Sequence, residues 1–242
     1  MKPDEKADLV EHLDELRTRI IRSLVYLAVG AVAGWLLYPA TYRWLLAPVM
    51  RPLEQMHGLM MINSVMEAFM TQVQVSLYTA LALASPLVLW ELWAFVAPGL
   101  TPSERRAARP ILPTSVLLFI VGVALFYVTA PRMFAFMLGF TPPGVRVQLL
   151  LQKQIVQITR MFLAFGLCFQ LPLVLAFLIQ VNILSTDTMR RHRREAIVAI
   201  AVLAAVITPS QDWVTMTVLA APLVLLYEGT IWWGCLATRK RQ

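Results

Sequence analysis

The sequence predicts an all-α, polytopic membrane protein with six transmembrane helices. Of its 242 residues, 59% are apolar and only 14% are charged, whereas a soluble domain is nearer half apolar and a quarter charged. The charges are clustered, and they leave apolar runs close to the length that spans a bilayer. A six-span arrangement places 15 of the 21 Lys and Arg residues on one side, together with both termini. Because short cytosolic loops are rich in these residues, both termini are predicted to be cytosolic.

The first 19 residues are polar and charged, and from Lys6 to Arg19 they predict an amphipathic helix. We expect this helix to lie along the cytosolic surface and to lead into span one, residues 20–37, which Pro39 ends. A long polar segment precedes the apolar run and no small-residue cleavage site follows it cleanly, so we expect span one to be retained rather than cleaved as a signal peptide. The apolar side of the helix consists of Leu9, Leu13, Leu16 and Ile20.

Residues 40–66 are predicted to be external. Trp44 and the two leucines after it suggest an interfacial helix, since aromatic residues favour headgroup depth. Pro48 and Pro52 are expected to stiffen the turn that follows. Span two is predicted over residues 67–96.

The later part of the chain is divided by prolines and by basic loops. Pro131 is expected to end span three, and Pro172 to kink span four. The external residues between these spans contain a turn at Pro142-Pro143-Gly144. Span five has about 13 residues and reaches about 20 Å, less than the roughly 30 Å of a hydrocarbon core. The predicted spans three to six cover 110–130, 154–181, 195–207 and 213–233.

The whole chain, residues 1–242, is expected to form a single integral membrane domain. Its parts are a cytosolic N-terminus over residues 1–19, a membrane region over 20–236 and a cytosolic tail over 237–242.

Signatures of common enzyme classes are missing from the sequence. It has no His-Glu-x-x-His helix, no Gly-x-Ser-x-Gly elbow and no phosphate-binding Gly-rich loop. His12 and His192 fall on the predicted inner side and His57 on the outer side, so they cannot share a metal. Cys168 and Cys235 lie in apolar runs without metal-binding spacing. The basic residues follow the membrane topology and do not interleave with aromatic residues, so we expect no nucleic-acid partner. The missing signatures and spacings lead us to expect no metal, no cofactor and no catalysis.

The loop between spans two and three is a candidate binding segment. Prolines and a glycine break the helix after Phe95, and Glu104 then stands beside Arg105 and Arg106. A carboxylate at the membrane surface can meet a cationic partner from the cytosol. The alternative is a solvated loop whose arginines only fix orientation, and on the residues alone this alternative is favoured.

Polar side chains inside the predicted spans form a second group of candidates, because their burial in lipid is costly. Lys153, Gln157 and Arg160 recur at steps of four and three and therefore share one face of span four. Gln170 lies about a quarter turn away, so that the helix has a broad polar side. Alternatively, Lys153 and Arg160 extend to the surface and Gln170 bonds to a neighbouring helix. For Lys153 the surface position is favoured.

Three acidic residues lie near predicted helix ends. For Glu91 and Glu228 an interfacial, solvated position is favoured over a functional one inside the membrane, and Asp212 is interpreted as the cap of span six. The intramembrane charges also motivate an ion-coupled transporter, which is disfavoured because no pair of broken helices occupies matching halves of the chain. An intramembrane enzyme is disfavoured because no nucleophile and base share a predicted depth.

Several motifs, in order along nearly the whole chain, resemble the TatC family of the twin-arginine protein translocase. The spacing of the first motif from the Pro-Gly-Leu and Glu-Arg-Arg motifs makes the resemblance specific. The motifs are His12-Leu-Asp-Glu-Leu-Arg-Thr-Arg19, Ala47-Pro48, Trp93-Ala-Phe95-Val-Ala-Pro98-Gly-Leu100, Ser103-Glu-Arg-Arg106, Phe165-Gly-Leu-Cys-Phe169-Gln-Leu-Pro172, Thr208-Pro-Ser-Gln-Asp212, and Pro222 to Glu228.

This resemblance implies a cupped arrangement of six spans, the last two of them short, in the bacterial cytoplasmic (inner) membrane. It implies a core subunit that binds twin-arginine signal peptides of folded precursors and nucleates assembly of the translocation complex. The implied partners are TatA-like and TatB-like single-span subunits, signal peptides and membrane lipid, with possible self-association. The implied signal-peptide site consists of Glu15, Leu16, Arg17, Arg19, Phe95, Pro98, Leu100, Glu104, Arg105 and Arg106.

Three further positions are implied to be structural or partner contacts. Pro48 matches a family position on the external cap, and Asp212 closes a matching motif. Gln170 stands where many members have Glu. Glutamine is polar but cannot be ionised, so this chain departs from the family in any role that needs a charge there, while a hydrogen-bonding role, for example to a polar residue on a partner's helix, stays open.

Overall fold

The computed structural model describes residues 3–96, 111–181, 183–208 and 213–239, which are almost entirely helical. The helices are α1 (Pro3–Leu36), α2 (Tyr38–Gln55), α3 (Val65–Val96), α4 (Ile111–Leu138), α5 (Leu151–Cys168), α6 (Leu171–Gln180), α7 (Thr186–Arg191), α8 (Arg193–Ile207) and α9 (Trp213–Arg239), and the strands are β1 (Leu59–Met61) and β2 (Gln148–Leu150).

Five stretches of the described residues are long and apolar enough to cross a membrane, which makes the chain a multi-span membrane protein. At 15 residues, α8 is as short as predicted and does not belong to this set, so a sixth span stays a prediction. At 27 residues, α9 is longer than the implied pair of short final helices, because Pro222 lies within it without ending it. The five stretches are His12–Leu36, Val65–Phe95, Pro113–Leu138, Leu151–Gln180 and Trp213–Cys235.

A single uninterrupted helix, α1, carries the N-terminal segment into the first apolar stretch. The prediction of a separate helix along the membrane surface is therefore wrong. A sharp change of direction needs a break such as a proline or a glycine, and residues 12–24 contain neither. The helix ends at Leu36, and Pro39 lies in the first turn of α2, where a missing N–H costs little.

Close backbone contact joins α1 to α3. Gly30 and Gly34 face this helix at Ala80 and Ser76. A Cβ added at Gly30 would lie 3.1 Å from the Cα of Ala80, and one at Gly34 would collide with the carbonyl of Ser76. Small residues at this contact let two apolar helices pack along their length, as is common in membranes.

The second helix, α2, packs into the protein core. Six of its apolar residues are buried, and they include Pro48 and Pro52, which lie inside the helix rather than in a turn after it. The predicted proline turn is therefore wrong, because packing against the core outweighs the loss of two backbone hydrogen bonds. The position of this helix at the membrane interface stays a prediction. Burial raises the pKa of Tyr38 and of Tyr42 at the start of this helix, so both phenols stay protonated at neutral pH.

The segments before α3 and α5 are joined by a short parallel pair of strands. Leu59 pairs with Gln148, and Met61 pairs with Leu150. The buried carboxylate of Glu67 supports this junction, since it accepts hydrogen bonds from the backbone N–H of Asn63 at 2.7 Å and, more weakly, of Gln152 at 3.4 Å.

Two of the predicted proline effects have opposite outcomes. Pro131 does not end the helix, since α4 runs through it to Leu138; the buried Ala130 and Met133 on either side pack into the core and hold the helix in place. Pro172 does interrupt span four: α5 ends at Cys168 and α6 begins at Leu171, so the predicted kink is confirmed.

The predicted Pro-Pro-Gly turn is also confirmed. The N–H of Val145 bonds to the carbonyl of Pro142 at 3.3 Å. Gly144 adopts a φ of 82°, a conformation that a residue without a Cβ adopts readily.

Aromatic side chains fill the core between α2, α4 and α5. The rings of Phe126 and Phe162 meet edge to face with centroids 4.9 Å apart, and Trp44 stacks on Tyr127 at 4.6 Å. A second, smaller cluster joins α6, α7 and α9. There the hydroxyl of Tyr227 donates to the carbonyl of Met189 at 2.8 Å.

Candidate functional site

Charged side chains join the N-terminal half of α1 to the last turns of α3. At their centre lies the guanidinium of Arg19. Its Nε donates to Oε1 of Glu15 at 3.1 Å, and its Nη1 donates to Oε2 of Glu91 at 3.0 Å. One guanidinium is thus held between two carboxylates, one on its own helix and one on α3. Hydrogen bonds of this charge-assisted kind are about twice as strong as neutral ones.

Glu91 is the buried member of this cluster, with a relative exposure of 6%. Besides Arg19, it accepts a hydrogen bond from the hydroxyl of Tyr26 at 3.1 Å, and Arg22 lies 4.0 Å away. The interpretation of Glu91 as a solvated interfacial residue is therefore wrong. A buried carboxylate is costly unless it is paired and hydrogen-bonded, and α1 supplies all three of these groups.

An aromatic contact brings Phe95 to the same place. The ring of His12 stacks on the ring of Phe95, with centroids 4.4 Å apart, and its Nδ1 lies 3.9 Å from Oε2 of Glu15. Glu15, Arg19 and Phe95, which come from two motifs far apart in the sequence, therefore lie together in the structure.

The helix α1 presents the charged cluster on a single face. His12, Glu15, Arg19, Arg22 and Tyr26 recur at steps of three and four, which place them on one side of a helix. This spacing is the signal from which the contact with α3 could have been predicted. For Glu91 the sequence carries no such signal, since α3 is apolar around its whole circumference.

The remaining implied site residues are placed as follows. Leu16 is half-buried and Arg17 is exposed. Arg17 belongs to the wall of an open surface hollow of about 660 Å³, which Glu15 and Arg19 also line. Pro98, Leu100, Glu104, Arg105, Arg106 and Asp212 lie outside the described residues.

Gln170 bonds to a neighbouring helix, which is one of the two interpretations that the sequence left open for this side chain. The Ser115 hydroxyl donates to the Oε1 of Gln170 at 2.8 Å, and the Nε2 of Gln170 donates to the Ser115 carbonyl at 3.0 Å. Both groups are buried. This exchange joins α4 to the break between α5 and α6. Pro48 is likewise buried, inside α2.

Glu228, the other acid interpreted as solvated, is half-buried and pairs with Arg193 at 2.8 Å. The pair connects α9 to the start of α8. Within the ranges that the structure describes, His, Cys, Asp and Glu residues form no group that could hold a metal ion.

Comparisons with known proteins agree with one another. A sequence profile of the Sec-independent protein translocase protein (TatC) family matches residues 11–222. The TatC protein of Desulforapulum autotrophicum is 35% identical over 95% of this chain and 85% of its own length. That of Carboxydothermus hydrogenoformans is 31% identical over 94% and 93%.

The fold is shared with solved structures. A crystal structure of TatC, the twin arginine translocase receptor, in DDM superposes with a TM-score of 0.78 at 30% identity, covering 92% of this chain and 99% of that one. A second crystal structure of this receptor gives a TM-score of 0.77 at 32% identity, over 94% and 99%. Sequence and fold both show that the chain is a membrane protein of the TatC family of Sec-independent protein translocases.

Proposed function

We propose that this chain is the receptor and core subunit of a twin-arginine translocase in a bacterial cytoplasmic membrane. It binds the twin-arginine signal peptides of folded precursors at its cytosolic face, and both of its termini are cytosolic. It nucleates the translocation complex with TatA-like and TatB-like subunits. It acts by binding rather than by catalysis.

The observation that carries this proposal is the guanidinium of Arg19 between the carboxylates of Glu15 and Glu91. At this end of the molecule two carboxylates already bind the guanidinium of Arg19, and the arginines of a signal peptide would be bound by contacts of the same kind. Glu91 is buried, whereas the side chain of Glu15 is 28% exposed and lines the open hollow. A peptide arginine can therefore reach Glu15, while Arg19 keeps its pairing with Glu91.

Glu104, which follows α3 in the sequence, supplies the second carboxylate of the proposed site. Each guanidinium of a twin-arginine motif keeps its charge and can donate two parallel hydrogen bonds to one carboxylate. The exposed Arg17, with Arg105 and Arg106, completes the charged part of the proposed site. Phe95, Leu16, Pro98 and Leu100 add apolar surface beside them.

A binding titration tests the proposal. A hydrogen bond to a charged group contributes roughly 1.5–3 kcal/mol, so Glu104→Gln should weaken binding of an Arg-Arg signal peptide by roughly ten- to a hundredfold. Glu15→Gln should cost less, because Arg19 competes for this carboxylate already. Replacing the peptide's arginines with lysines should cost about as much as Glu104→Gln, since an ammonium cannot form the paired contact.

Glu54→Gln serves as the matched control, because Glu54 is an exposed acid on α2 and should leave the affinity unchanged. If Glu104 only balances Arg105 and Arg106, then Glu104→Gln leaves binding unchanged or raises it equally for Arg-Arg and Lys-Lys peptides. Equal affinity of wild type and Glu104→Gln for the Arg-Arg peptide contradicts the proposed site.

A further inference from the structure

Two basic residues point away from the core on α5. The buried side chains of this helix include Leu151, Ile155 and Ile158, whereas Lys153 and Arg160 are exposed. Seven residues separate the two, which is close to two full turns, so they lie on one face about 10 Å apart along the axis.

Gln157 lies between them on the same face and is half-buried. Together with Gln152 and Val156, the three polar residues line an open hollow of about 350 Å³. The hollow is therefore basic at both ends and has the amide of Gln157 between them.

Neither cation is paired with an acid in the part of the chain that the structure describes. Near the N-terminal end of α5, the carboxylate of Glu67 accepts hydrogen bonds from the backbone of Asn63 and Gln152 instead. Lys153 and Arg160 thus contrast with Arg19 and Arg193, which both meet carboxylates.

The position of Arg160 in the helix makes this lack of a partner informative. It is the tenth residue of the apolar stretch Leu151–Gln180, and therefore lies about 13 Å along the axis from the first residue. An unpaired guanidinium facing lipid at this depth is costly. Because helical side chains point towards the N-terminus of their helix, Arg160 extends towards Lys153 and the nearer membrane surface.

We propose that Lys153, Gln157 and Arg160 bind the phosphate of an anionic membrane lipid. Two cations and an amide supply donors to the phosphate oxygens, and guanidinium and ammonium groups both suit phosphate. A lipid fits this site better than a soluble anion, because the flanking face of α5 is apolar and can hold the acyl chains while the headgroup meets the cations.

Native mass spectrometry of the full chain in a neutral detergent tests the assignment. The protein is titrated with phosphatidylglycerol and, separately, with phosphatidylcholine of the same acyl chains. Wild type should bind phosphatidylglycerol more tightly. One basic residue near an anionic headgroup contributes about fivefold in affinity. Lys153→Gln and Arg160→Gln should therefore each weaken phosphatidylglycerol binding about fivefold, and the double variant about 30-fold, with phosphatidylcholine binding unchanged.

Two further variants keep the test decisive. Arg160→Lys keeps the charge and should stay within about twofold of wild type. Arg43→Gln removes an exposed cation on α2 whose Nε donates to the carbonyl of Pro39 in the same helix, and it should have no effect.

Three results would overturn the proposal. The first is equal affinity of wild type for the two lipids, which fits a partner's carboxylate as the occupant. The second is displacement of phosphatidylglycerol by an excess of inorganic phosphate, which fits a soluble anion. The third is a loss of affinity in Arg160→Lys as large as in Arg160→Gln, which shows that charge is not the determinant.

Discussion

Replacing Glu91 with Gln should destabilise the protein by removing the charge that holds α1 against α3. The carboxylate of Glu91 accepts one hydrogen bond from Arg19 and one from Tyr26. A glutamine keeps one acceptor oxygen and nearly the same volume, so no cavity forms, but the charge-assisted bond is lost. Hydrogen bonds to charged groups contribute roughly 1.5–3 kcal/mol. We therefore expect Glu91→Gln to lower the free energy of unfolding by about 2–3 kcal/mol.

The corresponding change in melting temperature is measurable. For a chain of this length each kcal/mol shifts Tm by about 2–4 °C, so Glu91→Gln should lower Tm by about 4–12 °C. Tryptophan fluorescence of the detergent-purified protein during heating measures this shift.

Glu228→Gln provides a matched control in the same molecule. Glu228 also pairs with an arginine, Arg193, but the side chains are 30% and 43% exposed. Pairs that solvent reaches contribute about 0–1 kcal/mol, so this variant should change Tm by less than about 4 °C.

A double-mutant cycle with Arg19→Gln then isolates the pair. The destabilisation of the double variant should be smaller than the sum of the two single effects by at least about 1 kcal/mol. Equal Tm shifts for Glu91→Gln and Glu228→Gln, or additive effects in the cycle, would refute the reasoning that a buried Arg19–Glu91 pair holds α1 on α3.

Other predictions concern topology, membrane thickness and helix packing. In a background without the two native cysteines, Val145→Cys should react with an impermeant thiol reagent from outside the cell and Thr188→Cys should not; reversed labelling would exclude cytosolic termini. We predict that α8, with only 15 residues, spans the membrane and thins the bilayer beside it; four leucines inserted after Val202 should then remove the thinning and impair transport while signal-peptide binding stays intact, and normal transport would exclude a role for thinning. Gly34→Ala should cost roughly 1–3 kcal/mol of stability, because the added Cβ meets the backbone of α3. Gly229→Ala, whose Cβ meets nothing within 4 Å, should be neutral or stabilising. Comparable Tm values for the two variants would contradict the close contact between α1 and α3.

Apolar runs and their interruptions predict much of the fold from the sequence. The bounds of α3 and the break before Pro172 follow from local signals that act within one or two turns. The same local rules fail at Pro48, Pro52 and Pro131, where the helix continues because neighbouring helices bury the residues around each proline. Such stabilisation comes from residues distant in the sequence, and a rule about one proline cannot include it.

In the candidate site, too, some features follow from the sequence and others depend on contacts between distant residues. The motifs that resemble the TatC family predict Glu15, Arg19 and Phe95, and the structure places these three side chains together. Glu91 was misinterpreted because a helix with apolar residues on every side does not reveal which side faces another helix and which faces lipid. Tyr26 was missed, although its spacing from Arg19 and Arg22 places it on the same face of α1.

The pairing of β1 with β2 affects the order in which the chain can assemble. Leu59 is synthesised 89 residues before its partner Gln148, and at about 5–20 residues per second the wait is roughly 4–18 s. During this time α3 and α4 are made between the two strands. The first strand lies outside the apolar stretches, where water can satisfy its backbone groups until the partner arrives. The β1–β2 pair therefore forms late, after four of the helices have been made. If synthesis stops before residue 148, Leu59–Met61 has no partner strand in its own chain and is an open edge for pairing with other chains.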